Sequence, residues 1–250
     1  MKKNPQKWKT KKFIGLLKVF AFMAFYLLTV KNIGVMAEDK NAEWKPTAIF
    51  GMSGQSNMSG AALSAEIPKE FLNFPKNVRM WERETNSWVE IKLGEKFGPE
   101  VGFAFEMSKK WPKQNIGLVK MGISGAPISS WVGEDADPKV KKAYEYGQAF
   151  ESWTTMMKKA LKASPDASLK GIFWMQGETD ASKKELSEKY KANLKKLIVG
   201  VRSELSIEKL PFFIGKIQAK KFSFLNNVLK AQEEIAKELP NTYWVNTDTL

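Results

Sequence analysis

Apolar positions fall into short, largely apolar runs, separated by longer stretches in which they recur every three or four residues. The runs are Thr47-Ala48-Ile49-Phe50, Ile116–Met121, Leu169–Met175, Leu210–Ile217 and Thr242–Asn246. Runs of this length read as strands buried on both faces. Between them, helical spacing extends from Gly98-Pro99-Glu100 to Lys110, with proline in the first turn, and over Tyr144–Lys162, Lys183–Arg202 and Phe224–Leu239. Val78–Glu82 and Ser87–Ile91 alternate apolar and polar residues around Arg83–Asn86, which predicts a β-hairpin. Ala61–Pro75 has no period and predicts a surface loop. Strand and helix in alternation imply an α/β fold, a three-layer α/β/α sandwich with a mostly parallel, flavodoxin-like sheet of about five strands. Right-handed crossovers would bring every loop that follows a strand to one edge.

Three of those loops carry the chemistry. The first strand runs into Gly51-Met52-Ser53-Gly54-Gln55-Ser56-Asn57-Met58-Ser59-Gly60, where glycines permit a sharp turn and Ser56 stands at the centre. Ser56 is either part of a plain strand-to-helix turn or a nucleophile displayed at a strand end. It does not sit in the G-x-S-x-G elbow of the α/β-hydrolases, because Met58 takes the place of the second glycine. The second loop is Gly122-Ile123-Ser124-Gly125-Ala126-Pro127-Ile128, followed by Trp131. A glycine turn there presents backbone N–H groups that can stabilise an oxyanion, although an ordinary βα turn would look the same. The third is Gln176-Gly177-Glu178-Thr179-Asp180, an amide and two carboxylates at a strand end. A polar helix cap would explain Thr179 or Asp180 and leave Gln176 unexplained.

Together these blocks resemble the SGNH-type hydrolases, in the branch of sialate O-acetylesterases and acetylxylan esterases. Gly54-Gln55-Ser56-Asn57-Met58 corresponds to that branch's GQSNM block, and Trp174–Asp180 to its W-x-Q-G-E-S/T-D block. Ser124–Trp131 keeps the second glycine, isoleucine and tryptophan of G-G-T-x-I-x-x-W, with Ser124 for the first glycine and Ala126 for threonine. Gly98-Pro99-Glu100 before a Phe/Ala-rich helix is another recurring pattern of the branch. The resemblance spans about Thr47 to Leu250. It implies a carbohydrate esterase that removes O-acetyl groups, with Ser56 as nucleophile and no metal or organic cofactor. It also implies an oxyanion hole of the Ser56 N–H, the Gly125 N–H and the Gln176 side chain. Glu178 would orient the general base, with Gln55, Asn57 and Asp180 supporting. The partner is an acetylated carbohydrate, sialic acid or a xylan-type chain. Loops Ala61–Pro75 and Trp131–Tyr146 would set which one, with Trp131 either stacking on a sugar or buried in the core.

Composition changes this picture in two places. The chain of 250 residues contains neither cysteine nor histidine. That excludes disulfides and thiolate chemistry, and it removes the commonest general base. SGNH enzymes take their base from a D-x-x-H block after the last strand, whereas this sequence ends Val245-Asn246-Thr247-Asp248-Thr249-Leu250. The expectation is a chain truncated before that block, which reading the coding sequence past Leu250 would test. The alternatives are a non-catalytic carbohydrate-binding relative and an inactive fragment. A Ser–Lys pair is chemically conceivable and Lys120 is a candidate, although no spacing points to it.

Charge is the second. Eight lysines and no acid fall in residues 1–37, leaving +5 of the formal +13 for the remainder. Met1–Lys12 is polybasic, Phe13–Val30 is apolar apart from Lys18 and Thr29, and Val35-Met36-Ala37 places small residues before Glu38-Asp39. That is the pattern of a secretory signal peptide, or of an anchor if it is retained, followed by a linker over 38–46 and the esterase domain over 47–250. A secreted or periplasmic location follows, with membrane contact only through that segment. Arginine is confined to Arg79, Arg83 and Arg202, and no nucleic-acid-reading module is visible, so nucleic acid is not an expected partner. Oligomeric state leaves no trace in the sequence.

Overall fold

The computed structural model describes residues 44–132, 149–218 and 221–247. The expected leader, most of the linker, the start of the helix expected from Tyr144, most of the Trp131–Tyr146 loop and Asp248 lie outside those residues. In chain order the strands are β1 (Ala48–Gly54), β2 (Ala62–Leu63), β3 (Val78–Glu82), β4 (Ser87–Glu90), β5 (Lys96–Phe97), β6 (Ile116–Gly122), β7 (Ser168–Met175), β8 (Phe212–Gly215) and β9 (Thr242–Val245). The helices are α1 (Ser56–Ser59), α2 (Glu100–Lys110), α3 (Ser129–Val132), α4 (Ala149–Lys162), α5 (Lys184–Glu204) and α6 (Leu225–Glu238).

One sheet of seven strands runs in the order β4-β3-β6-β1-β7-β8-β9, parallel except for β4 at its edge. The strands beyond the expected five come from the hairpin, whose first strand pairs in parallel with β6 while its second closes the edge. β2, inside the Ala61–Pro75 region expected to be loop, pairs with β5, which follows the hairpin, as a separate two-stranded sheet.

Every residue of β1 is buried, as a central strand covered on both faces requires. Ala48, Phe50 and Met52 join Leu118, Phe173, Met175 and Phe213 on one face, under Phe103 and Met107 of α2. Ile49, Val119, Ile172 and Trp174 occupy the other face, under side chains of α4, α5 and α6 that include Trp153, Leu194 and Ile235. α5 shows why its sequence is helical: Tyr190, Asn193, Leu194, Leu197, Ile198 and Val201 are buried at three- and four-residue intervals, with lysines between them. Trp131 is buried and packs edge-on against Trp174, with centroids 5.1 Å apart, so it is a core residue.

The chain leaves β1 for β3, returns through β6 beside β1, and then crosses to β7 on its other side. The direction of building reverses at β1, so the crevice outside its carboxyl end is a topological switch point. Gly54 pairs with Gly122 of β6 and with Met175 of β7, and the three strands therefore end level.

Candidate active site

Three loops leave that level edge and bond to one another. Gln55, the residue before α1, is buried, and its backbone N–H donates to the Met175 carbonyl at 3.0 Å. Its side-chain Oε1 accepts from the N–H groups of Gly177 at 3.1 Å and Thr179 at 3.3 Å. Thr179 Oγ1 donates to the Gly125 carbonyl at 3.0 Å, which ties the loop after β7 to the loop after β6. The loop after β6 is fixed to β1 through the Ile123 N–H, which donates to the Gly54 carbonyl at 2.9 Å. Ser56, Gly125 and Glu178, far apart in sequence, thus share one rim of the sheet.

Close backbone approach makes the rim possible. Gly54 has φ 152°, and a Cβ there would lie 1.9 Å from the Met175 carbonyl oxygen. Gly125 has φ 73°, in the left-handed region that glycine tolerates. Within α1, the Ser59 N–H donates to the Gln55 carbonyl at 2.8 Å and the Gly60 N–H to that of Ser56 at 3.0 Å. Met58 points into the core beneath, anchoring the turn. Ser56 is half-buried as the first residue of that turn, and its Oγ makes no hydrogen bond among the described residues.

The carboxylates differ in what holds them. Glu178 Oε1 accepts from Asn57 Nδ2 at 2.5 Å, while its Oε2 is buried with no partner among the described residues. Burial pushes the Glu178 carboxyl above the usual carboxylate range, against the opposing pull of hydrogen bonds from its backbone and from Asn57. Asp180 Oδ2 accepts from the Ile128 N–H at 3.0 Å and from Gln176 Nε2. Burial raises the Asp180 carboxyl to about 7; those two donors oppose the shift and the nearby Glu178 charge adds to it.

Gln176 is fully buried, and its Nε2 donates to the Ala126 carbonyl at 3.2 Å as well as to Asp180. Both amide hydrogens are committed to the scaffold, so in this arrangement the side chain braces the Gly125–Ile128 turn and has no hydrogen left for an oxyanion. The backbone carbonyl of Gln176 accepts from Tyr190 Oη at 2.9 Å and from Gln232 Nε2 at 3.1 Å. Lys120, the conceivable base, has its Nζ held by Glu100 and the Ser59 carbonyl. Thr179, whose bond to Gly125 joins two loops, was visible in the sequence only as a possible helix cap.

Known proteins carry the same arrangement of elements. Residues 46–250 match the family described as "Carbohydrate esterase, sialic acid-specific acetylesterase". A protein of Arabidopsis thaliana named as a probable carbohydrate esterase is 26% identical over 210 residues, which cover 75% of each chain. The crystal structure of that plant protein superposes with a TM-score of 0.64 at 23% identity, covering 80% of this chain and 85% of its own. A carbohydrate acetylesterase from Xanthomonas citri gives a TM-score of 0.53 at 20% identity, over 80% of this chain and 49% of its own. NanS gives 0.58 at 15% identity, over 81% and 78%.

Proposed function

The chain belongs to the carbohydrate-esterase family of sialic acid-specific acetylesterases, and from that premise we propose that it removes O-acetyl groups from sugars through an acyl-enzyme on Ser56. The observation that carries this reading is the half-buried serine at the head of α1, just past the end of the central strand, where the loop after β7 is bonded to the neighbouring Gln55 and to the loop after β6. Ser56 Oγ attacks the acetyl carbonyl and forms a tetrahedral oxyanion. The sugar oxygen leaves with a proton, and water then releases acetate and restores the serine. Backbone N–H groups of Ser56 and Gly125 serve the oxyanion, each worth roughly 3 kcal/mol in a dry pocket. Gln176 and Asp180 act behind them by holding the turn that carries Gly125.

The scheme requires a base to take the proton from Ser56 Oγ and return it to the leaving sugar oxygen. Glu178, whose Oε2 is buried and unpartnered among the described residues, orients that base. No imidazole is present in these 250 residues. That observation favours a second reading, a relative that binds acetylated sugar without turnover, since hole and binding alone leave only about 10³–10⁴-fold over water. Under either reading the proposed location is secreted or periplasmic, or membrane-anchored if the segment is retained, on the signal-peptide pattern of residues 1–37.

Hydrolysis of p-nitrophenyl acetate separates the two. Turnover by the unmodified protein, with kcat falling at least about 10³-fold in Ser56→Ala, supports the esterase. Binding of O-acetylated sugar without hydrolysis supports the second reading. Full activity in Ser56→Ala removes Ser56 from the mechanism.

A further inference from the structure

Behind α1 lies a buried ion pair that the acyl-transfer scheme does not use. Lys120 projects from β6 on the face covered by α2, and Glu100 opens α2. Lys120 Nζ meets Glu100 Oε2 at 2.5 Å, with both side chains buried. The same Nζ donates to the Ser59 carbonyl at 3.0 Å, and Glu100 Oε1 accepts from the Gly98 N–H at 2.9 Å. An unbroken chain of contacts therefore runs from the last carbonyl of the serine turn, through two charges, to the backbone that precedes α2.

The surrounding backbone is packed so that the turn cannot drift. A Cβ on Gly122 would lie 2.4 Å from the Ser59 nitrogen. One on Gly98 would lie 2.5 Å from Glu100 Oε2, 2.9 Å from Lys120 Nζ and 3.0 Å from the Met58 carbonyl oxygen. Gly60, with φ 121°, leaves no more than 2.9 Å between such an atom and the Phe97 backbone. Desolvating two charges opposes folding, and a hydrophobic pair of similar volume is often as stable. Net stability alone is therefore a poor reason for the pair. What an apolar pair cannot do is donate to the Ser59 carbonyl.

We propose that Lys120 and Glu100 are positioning residues which clamp the C-terminal end of α1, as Gln55 fixes its N-terminal end, so that Ser56 is held between two anchors. This rests on Ser56 being the nucleophile, but the clamp itself is a statement about the turn and is tested without turnover. Lys120 acts through Ser59 and touches no reacting atom.

The test compares the unmodified protein with Lys120→Met and with Lys120→Met/Glu100→Met, the double variant avoiding a lone buried carboxylate. Amide hydrogen exchange is followed in Ser56–Gly60 and in β1, together with melting temperature and the kcat and KM of p-nitrophenyl acetate hydrolysis. The clamp predicts that exchange in Ser56–Gly60 of the double variant rises at least about tenfold more than exchange in β1, over any fall in melting temperature that the lost acceptor of the Gly98 N–H brings. Where the unmodified protein turns over, kcat falls with KM little changed. Exchange at Ser56–Gly60 that stays as slow as before, or rises only in step with β1, overturns the clamp. An unmodified protein without hydrolysis contradicts the esterase reading and leaves exchange to decide the clamp.

Discussion

Removing the amide of Gln55 would strip the N–H groups of Gly177 and Thr179 of their acceptor inside a buried loop junction. Unsatisfied buried donors cost about 1–3 kcal/mol each, so Gln55→Leu is expected to destabilise the protein by about 2–4 kcal/mol in chemical denaturation. Asp180 carries a different signature. Its carboxyl rises from 3.8 to about 7 in the fold, so the native state binds this proton more tightly than the unfolded chain. Its contribution is fully present below pH 3.8 and is lost as the pH climbs through 7. Asp180→Asn keeps an acceptor for Ile128 and cannot ionise. Its stability relative to the unmodified protein should therefore increase from pH 4 to pH 8, by up to about 4 kcal/mol; an unchanged difference across that range would reject the assignment. At this scale the sequence was informative about residue types and less so about duties. Ser56, Glu178 and Asp180 could be picked out as strand-end polar groups, but whether Gln176 faces a substrate or a carbonyl depends on the loop after β6, 50 residues away.

Elements were legible in proportion to their length. The buried runs at Ile116–Met121 and Leu169–Met175 and the periodic stretch Lys183–Arg202 appear within a residue or two as β6, β7 and α5, because each buries a continuous face. α1, β2 and β5 escaped notice, being too short for a period and fixed by tertiary contact alone. The alternating residues of the hairpin announced two strands but not that β3 would pair in parallel with β6, since pairing depends on where the return through α2 lands. Gly122 is where two elements meet most closely. Gly122→Ala would push its new methyl against the Ser59 backbone and separate β6 from α1. The expected cost is about 1–3 kcal/mol in stability, measured by denaturation, with a fall in any esterase activity.

For the whole molecule, the arrangement of strands does more than any one motif. A parallel sheet whose direction of building reverses at β1 puts the loops after β1, β6 and β7 side by side, and the level register of Gly54, Gly122 and Met175 lets side chains of ordinary length bridge them. That convergence was foreseeable from strand and helix alternation together with crossover handedness. The bonds that lock it, through Gln55, Thr179 and the Lys120–Glu100 pair, were not, because they join residues 20 to 124 positions apart. The most direct test of the account is peptide mass spectrometry after the protein is incubated with p-nitrophenyl acetate and quenched in acid. A single acetyl group on the peptide containing Ser56, absent from Ser56→Ala, is the predicted result. Turnover with acetyl found on another residue and none on that peptide would contradict it.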